Sequence, residues 1–137
     1  RNSVFAASKG YEVTCLDISE NGLRKAEFLA QEKNTKITTV LADLDSGSLK
    51  ENKYDLILCF NFLERSLFSG IHQALKPGGL LFYETFTVDY LKYSSFKKEW
   101  VLEANELLQA FSDFRILRYQ EVDENFKGFA SLVAQKP

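Results

Sequence analysis

Apolar and polar positions along the chain change period several times, and each change marks an element. Residues 2–9 (NSVFAASK) predict a short helix, closed by Gly10 just past its end. Residues 11–16 (YEVTCL) are β-branched and aromatic, stop at Asp17 and predict a strand. Ser19 is placed to cap a helix over 20–33, whose Leu23, Ala26 and Ala30 share one face. A second strand is expected over 36–42 (KITTVLA), running out into Asp43, Leu44, Asp45 and a Ser/Gly loop. The run 54–60 (YDLILCF) is almost wholly apolar, as suits a strand covered on both faces.

The second half continues the alternation and then breaks it. Leu67, Phe68, Ile71 and Leu75 line one side of a predicted helix over 64–75, stopped by Pro77, Gly78 and Gly79 before a strand over 80–86. Residues 87–101 are polar and aromatic without a clear period. Ala104, Leu107, Leu108 and Phe111 then mark a helix. Strands over 114–122 and 128–135 follow with only a short polar turn between them, so they must pair antiparallel. Strands alternating with helices predict an α/β fold with a mostly parallel sheet, to which the terminal hairpin adds an antiparallel edge strand. No repeat, low-complexity segment or domain boundary interrupts the 137 residues, which predict one domain.

Composition narrows the function classes. A formal charge of −2 with both signs interspersed argues against a nucleic-acid partner held mainly by a basic surface. Cys15 and Cys59 lie far apart inside apolar runs, and His72 is the one histidine, so neither structural zinc nor a disulfide framework is expected. Reduced, buried thiols and apolar runs too short to span a bilayer fit a cytoplasmic protein with no membrane partner. The chain opens on Arg1 and contains no methionine, so a preceding segment is expected.

The order of these elements, with the stretches RNSVFAASKGYEVTCLDIS and LKPGGLLFYETFT and the closing hairpin, resembles the class I S-adenosylmethionine-dependent methyltransferases. The resemblance covers the whole chain and is closest to the small bacterial tellurite-resistance branch. It implies a Rossmann-like sheet in which Arg1, Asn2 and Ser3 follow directly on a glycine-rich loop. The first strand and that loop would then be absent here, leaving a gap in the middle of the sheet.

The resemblance implies S-adenosylmethionine as cofactor and assigns its contacts. Asp17, at the carboxyl end of a strand where open α/β sheets bind ligands, would accept both ribose hydroxyls. Ile18 would line the ribose or adenine face. Asp43 would accept the adenine amino group, with the Leu44 backbone supporting the ring; Asp45 competes for that role. Phe60 and Asn61 would face the methionine portion or the methyl acceptor. Because Phe62 follows, and not the Pro-Pro-aromatic run of base and amide methylases, a small-molecule acceptor is expected. Arg1 would meet the cofactor carboxylate. Each residue also has a plainer reading: Asp17 as a turn starter, Asp43 as part of an Asp-rich turn, Phe62 as core, Arg1 as a solvated terminus.

Tyr83, Glu84, Tyr90 and Tyr93 surround the aperiodic stretch, which is placed to act as a substrate-contacting lid. Glu84 or a tyrosine could act as a base, yet no dyad or triad spacing picks one out, so no catalytic residue is assigned. Two competing readings remain. Tyr93 and Lys97 match the Tyr-x-x-x-Lys of NAD(P)-dependent short-chain oxidoreductases, although no serine stands on the preceding strand. A cofactor- or partner-binding domain without catalysis is the other. The oligomeric state is open.

Overall fold

Leu23, Ala26 and Ala30 are buried along one side of a helix over Glu20–Glu32, and that helix joins two parallel strands. The computed structural model describes residues 1–44, 47 and 49–137. Contacts divide the chain into two units, Arg1–Ser48 and Leu49–Pro137.

In the first unit, α1 (Asn2–Ser8) leads through Gly10, at φ +94°, into β1 (Val13–Asp17). Then come α2 (Glu20–Glu32) and β2 (Ile37–Leu41). β1 and β2 pair in register from Val13 opposite Ile37 to Asp17 opposite Leu41. This is a β-α-β unit with Val4 and Ala6 of α1 also buried. The Ser19 hydroxyl accepts the Gly22 amide at 3.1 Å, the cap the sequence predicts.

In the second unit, β3 (Tyr54–Phe60), α3 (Leu67–Ala74) and β4 (Leu75–Phe86) are followed by 3₁₀ turns at Val88–Lys92 and Lys98–Trp100. A one-turn α4 (Glu106–Ala110) precedes β5 (Arg115–Glu124) and β6 (Lys127–Gln135). The sheet order is β3-β4-β6-β5. Leu81, Tyr83 and Thr85 sit opposite Ala134, Leu132 and Ala130, so large residues on β4 meet mostly smaller ones on β6. That face packs on Leu67, Ile71, Leu102, Leu107, Phe111 and Phe114.

Three expectations change. The first unit carries a parallel pair, β1–β2, and the sheet of the second unit is mixed: β3–β4 are parallel, whereas β6 is antiparallel to both β4 and β5. The reversed strand lies inside the sheet and β5 forms its edge, because the hairpin folds its second arm onto β4. The helix expected over 64–75 is shorter, and β4 already starts at Leu75. Pro77, Gly78 and Gly79 form an irregularity within that strand, held where Gly78 N–H donates to the Lys136 carbonyl and Lys136 N–H to that of Gly79. The polar turn of the hairpin is Asn125 and Phe126, both at positive φ, the backbone that matches the twist of tightly joined strands.

Candidate functional site

In the first unit, the carboxyl ends of β1 and β2 carry the acids. The Asp17 Oδ1 accepts the Ser19 amide at 2.9 Å, and the Asp17 carbonyl accepts the Ala42 amide at 3.0 Å. The second bond brings the chain leaving β2, with exposed Asp43 and half-buried Leu44, beside the end of β1. Among the described residues no group donates to Asp17 Oδ2, which therefore keeps its acceptor capacity. Gly22 makes room for that oxygen: a Cβ there would lie 2.8 Å from Oδ2. Ile18 is 66% exposed, a large apolar side chain held in solvent next to the carboxylate. A concavity of the same unit, lined by Gly10, Tyr11, Glu12, Asn34, Thr35 and Lys36, opens at the opposite, amino ends of the strands.

In the second unit, Phe60 ends β3 opposite Glu84 of β4. Asn61 turns the chain at φ +55°, a conformation asparagine tolerates, and its amide donates to the Glu84 carbonyl at 2.8 Å. The Glu84 carboxylate accepts a short hydrogen bond from the Ser131 hydroxyl of β6. The Tyr83 hydroxyl donates to the Phe62 carbonyl at 2.9 Å and lies beside Cys59. Burial pushes the Tyr83 phenol well above its ordinary value and the Cys59 thiol up to about 11, so both stay neutral near pH 7. Tyr83 is thereby a buried, neutral phenol tied to the Phe62 carbonyl, and Phe62 packs against the core as its plainer reading holds.

The stretch 87–101 is pinned at both ends. Gly128 lets the first 3₁₀ turn lie against β6, since a Cβ there would come within 2.6 Å of the Tyr90 amide. Asp123 of β5 holds Lys92 at 2.5 Å and the Tyr93 hydroxyl at 2.7 Å. At the other end the Arg65 guanidinium spans 34–41 residues of sequence: it donates to both Glu106 carboxylate oxygens at 2.7 and 2.9 Å, and to the Glu99 and Val101 carbonyls at 3.0 Å each. Glu106 is held below the usual carboxylate range, first by its hydrogen bond with Arg65.

Other predicted residues separate from these groups. The Arg1 side chain is exposed at the start of α1, in no ion pair among the described residues. His72 stacks on Phe111 at 4.8 Å with Nε2 3.0 Å from the Ala110 carbonyl, a boundary residue as its position in the sequence suggests. Tyr93 and Lys97 lie on no common α-helix; Tyr93 is bonded to Asp123 and Lys97 lies over Trp100, so the oxidoreductase pairing is not formed. Asp45 lies outside the described residues.

Sequence reading missed Gly22, Arg65 and Asp123. Gly22, inside a capped helix directly after a strand-end acid, was a findable signal for close approach. The partners of Arg65 and Asp123 are distant in sequence and leave no local trace.

Residues 1–79 match the family described as "Methyltransferase domain". A protein from Haemophilus influenzae named as a probable S-adenosyl-L-methionine-dependent methyltransferase, TehB, is 28% identical over 155 aligned residues, covering 99% of this chain and 54% of that protein. A ubiquinone biosynthesis O-methyltransferase from Hydrogenovibrio crunogenus is 31% identical over 93 residues, covering 64% of this chain and 39% of its own. The crystal structure of TehB from Haemophilus influenzae superposes with a TM-score of 0.82 at 25% identity, over 99% of this chain and 54% of that one. The chain thus spans about half the length of the Haemophilus influenzae relative it matches.

Proposed function

This chain belongs to the methyltransferase-domain family, and on that premise we propose that it binds S-adenosylmethionine and transfers its methyl group to a small-molecule acceptor. The observation that carries the reading is the Asp17 carboxylate. It stands at the carboxyl end of β1 with one oxygen tied to the Ser19 amide and the other open beside Gly22. A glycine where a side chain would touch the open oxygen is a cradle suited to paired hydroxyls, which need an acceptor-only group.

Asp17 with Ile18 would then hold the ribose, and Asp43 with Leu44 the adenine. By the same family pattern Phe60 and Asn61 are assigned to the methionine portion and the acceptor, and Arg1 to the cofactor carboxylate. The named activity of the Haemophilus influenzae relative supports the choice of cofactor.

When bound, S-adenosylmethionine supplies an electrophilic methyl group whose leaving group is a neutral thioether. The chain's own task is consequently positioning and exclusion of water. Asn61 and Glu84 are coupled through their backbones, and Ser131 orients the Glu84 side chain, so these groups can hold an acceptor in place. No proton acceptor is assigned. A cytoplasmic location belongs to the same reading and is supported by the two free cysteines.

Calorimetric titration of the full-length protein with S-adenosylhomocysteine and, separately, NADH tests the cofactor. Micromolar binding of the first and none of the second is expected. NADH binding alone would replace methyl transfer with hydride chemistry, and binding of neither would leave a non-catalytic domain.

A further inference from the structure

Beyond the carboxyl end of β4 the second unit carries a built cluster of aromatic rings that the core does not use. Phe86, two residues after Glu84, stacks on Tyr90 with centroids 4.2 Å apart and planes 19° from parallel. Phe96 meets both edge-on, at 5.6 and 5.1 Å, and Trp100 meets Phe96 edge-on at 5.9 Å. Rings gathered in this way normally shed water, yet Phe96 is 39% and Trp100 51% exposed. The Lys97 ammonium lies 5.1 Å over the Trp100 ring. Lys92 is engaged by Asp89 and Asp123, and Lys98 faces Glu103 at 3.8 Å. Lys97 is thus the cation of this segment with no carboxylate within 4 Å among the described residues.

We propose that Phe86, Tyr90, Phe96, Trp100 and Lys97 form the acceptor platform, and that the acceptor is a planar aromatic molecule carrying an anionic group. The proposal rests on the methyl-transfer reading and names its substrate class. Flat rings take a flat ligand by stacking and edge contacts, and the unpaired ammonium adds attraction for an anion without demanding a hydrogen-bond code. The place is right for a substrate: Phe86 continues the strand whose Glu84 is tied to Asn61, and open α/β sheets bind ligands beyond their strand ends. The platform is also preorganised. Gly128 and Asp123 fix the 3₁₀ turn that carries Tyr90, and Arg65 fixes the carbonyls on either side of Trp100, so little ordering remains to be done on binding. Where the anionic atom itself takes the methyl group, no proton has to be removed, which fits a site with no assigned base.

Trp100 is the one tryptophan of these 137 residues, and its indole N–H resonance, assigned by its loss in Trp100→Phe, reports on the platform. Titration of the ¹⁵N-labelled full-length protein compares benzoate with benzamide, which lacks the charge, and cyclohexanecarboxylate, which lacks the flat ring. A saturable shift of the indole signal with benzoate is expected, with at least about threefold weaker binding of either control. Lys97→Gln should remove the preference over benzamide, and Phe96→Leu the preference over cyclohexanecarboxylate, both leaving S-adenosylhomocysteine affinity unchanged. Equal response to all three ligands, no saturable shift, or variants that keep both preferences would overturn the platform. Benzoate failing while S-adenosylhomocysteine binds defeats this inference alone. The reverse result defeats the methyl-transfer reading and keeps an aromatic-anion site.

Discussion

Gly22 touches Asp17 so closely that a methyl group on its α-carbon would stand 2.8 Å from Oδ2, nearer than any such contact survives unrelieved. The α2 cap from Ser19 fixes Gly22, and Ser19's amide fixes the other carboxylate oxygen. Helix start and strand-end acid are therefore one piece of geometry.

Gly22→Ala separates folding from binding. Alanine is the better helix former by up to about 1 kcal/mol, so helix α2 is not weakened and the melting temperature should hold or rise. The displaced carboxylate should cost S-adenosylhomocysteine affinity about tenfold, read by calorimetry. Loss of stability with affinity unchanged would contradict the role given to this contact.

Arg65→Lys tests the clamp on residues 99–106. Lysine cannot reproduce the fork that reaches Glu106 and two carbonyls together. The Arg65 side chain is 43% exposed, so solvent screens the ion pair and most of the effect comes from lost geometry. A loss of about 1 kcal/mol is expected in denaturant melts. Its pH dependence follows from Glu106, whose carboxyl is lowered in the folded protein. The stabilisation is complete above the ordinary glutamate range and disappears as pH falls through the lowered folded value. Wild type and variant should thus converge in acid and differ most near neutrality.

Thr87 is 2% exposed, and its hydroxyl has no hydrogen-bond partner among the described residues. Its backbone is fully used, the amide donating to the Gly128 carbonyl and the carbonyl accepting the Tyr90 amide. Thr87→Val keeps the shape and removes the uncompensated hydroxyl, and should stabilise the protein by about 1 kcal/mol. A destabilised valine variant would show that the hydroxyl is satisfied by an ordered water.

Much of the architecture was legible because short-range physics wrote it. The spacing of Leu23, Ala26 and Ala30, the Ser19 cap and the apolar run 54–60 each specify their element locally. Strand order was less accessible. Nothing near the hairpin says that β6 folds inward onto β4, since that depends on Ala130, Leu132 and Ala134 fitting opposite Thr85, Tyr83 and Leu81. Pro77 and Gly78 read as a break because the Lys136 carbonyl and amide that accommodate this irregularity lie far along the chain. For the candidate site, strand ends single out Asp17, Asp43 and Asn61 as candidates, and the structure adds what surrounds Asp17 and Asn61. The aperiodic stretch 87–101 hid an ordered one: its order comes from Arg65, Asp123 and Gly128, all remote in sequence.

The most direct test of the central claim is the affinity of Asp17→Asn for S-adenosylhomocysteine, measured by calorimetry beside the wild type. Asparagine keeps the size and one acceptor oxygen but removes the charge and puts donors where an acceptor is needed. Loss of charge-assisted hydrogen bonds worth about 1.5–3 kcal/mol predicts a ten- to hundredfold weaker complex, with the melting temperature little changed. Unchanged affinity in a folded variant would show that Asp17 does not hold the ribose and would contradict the account.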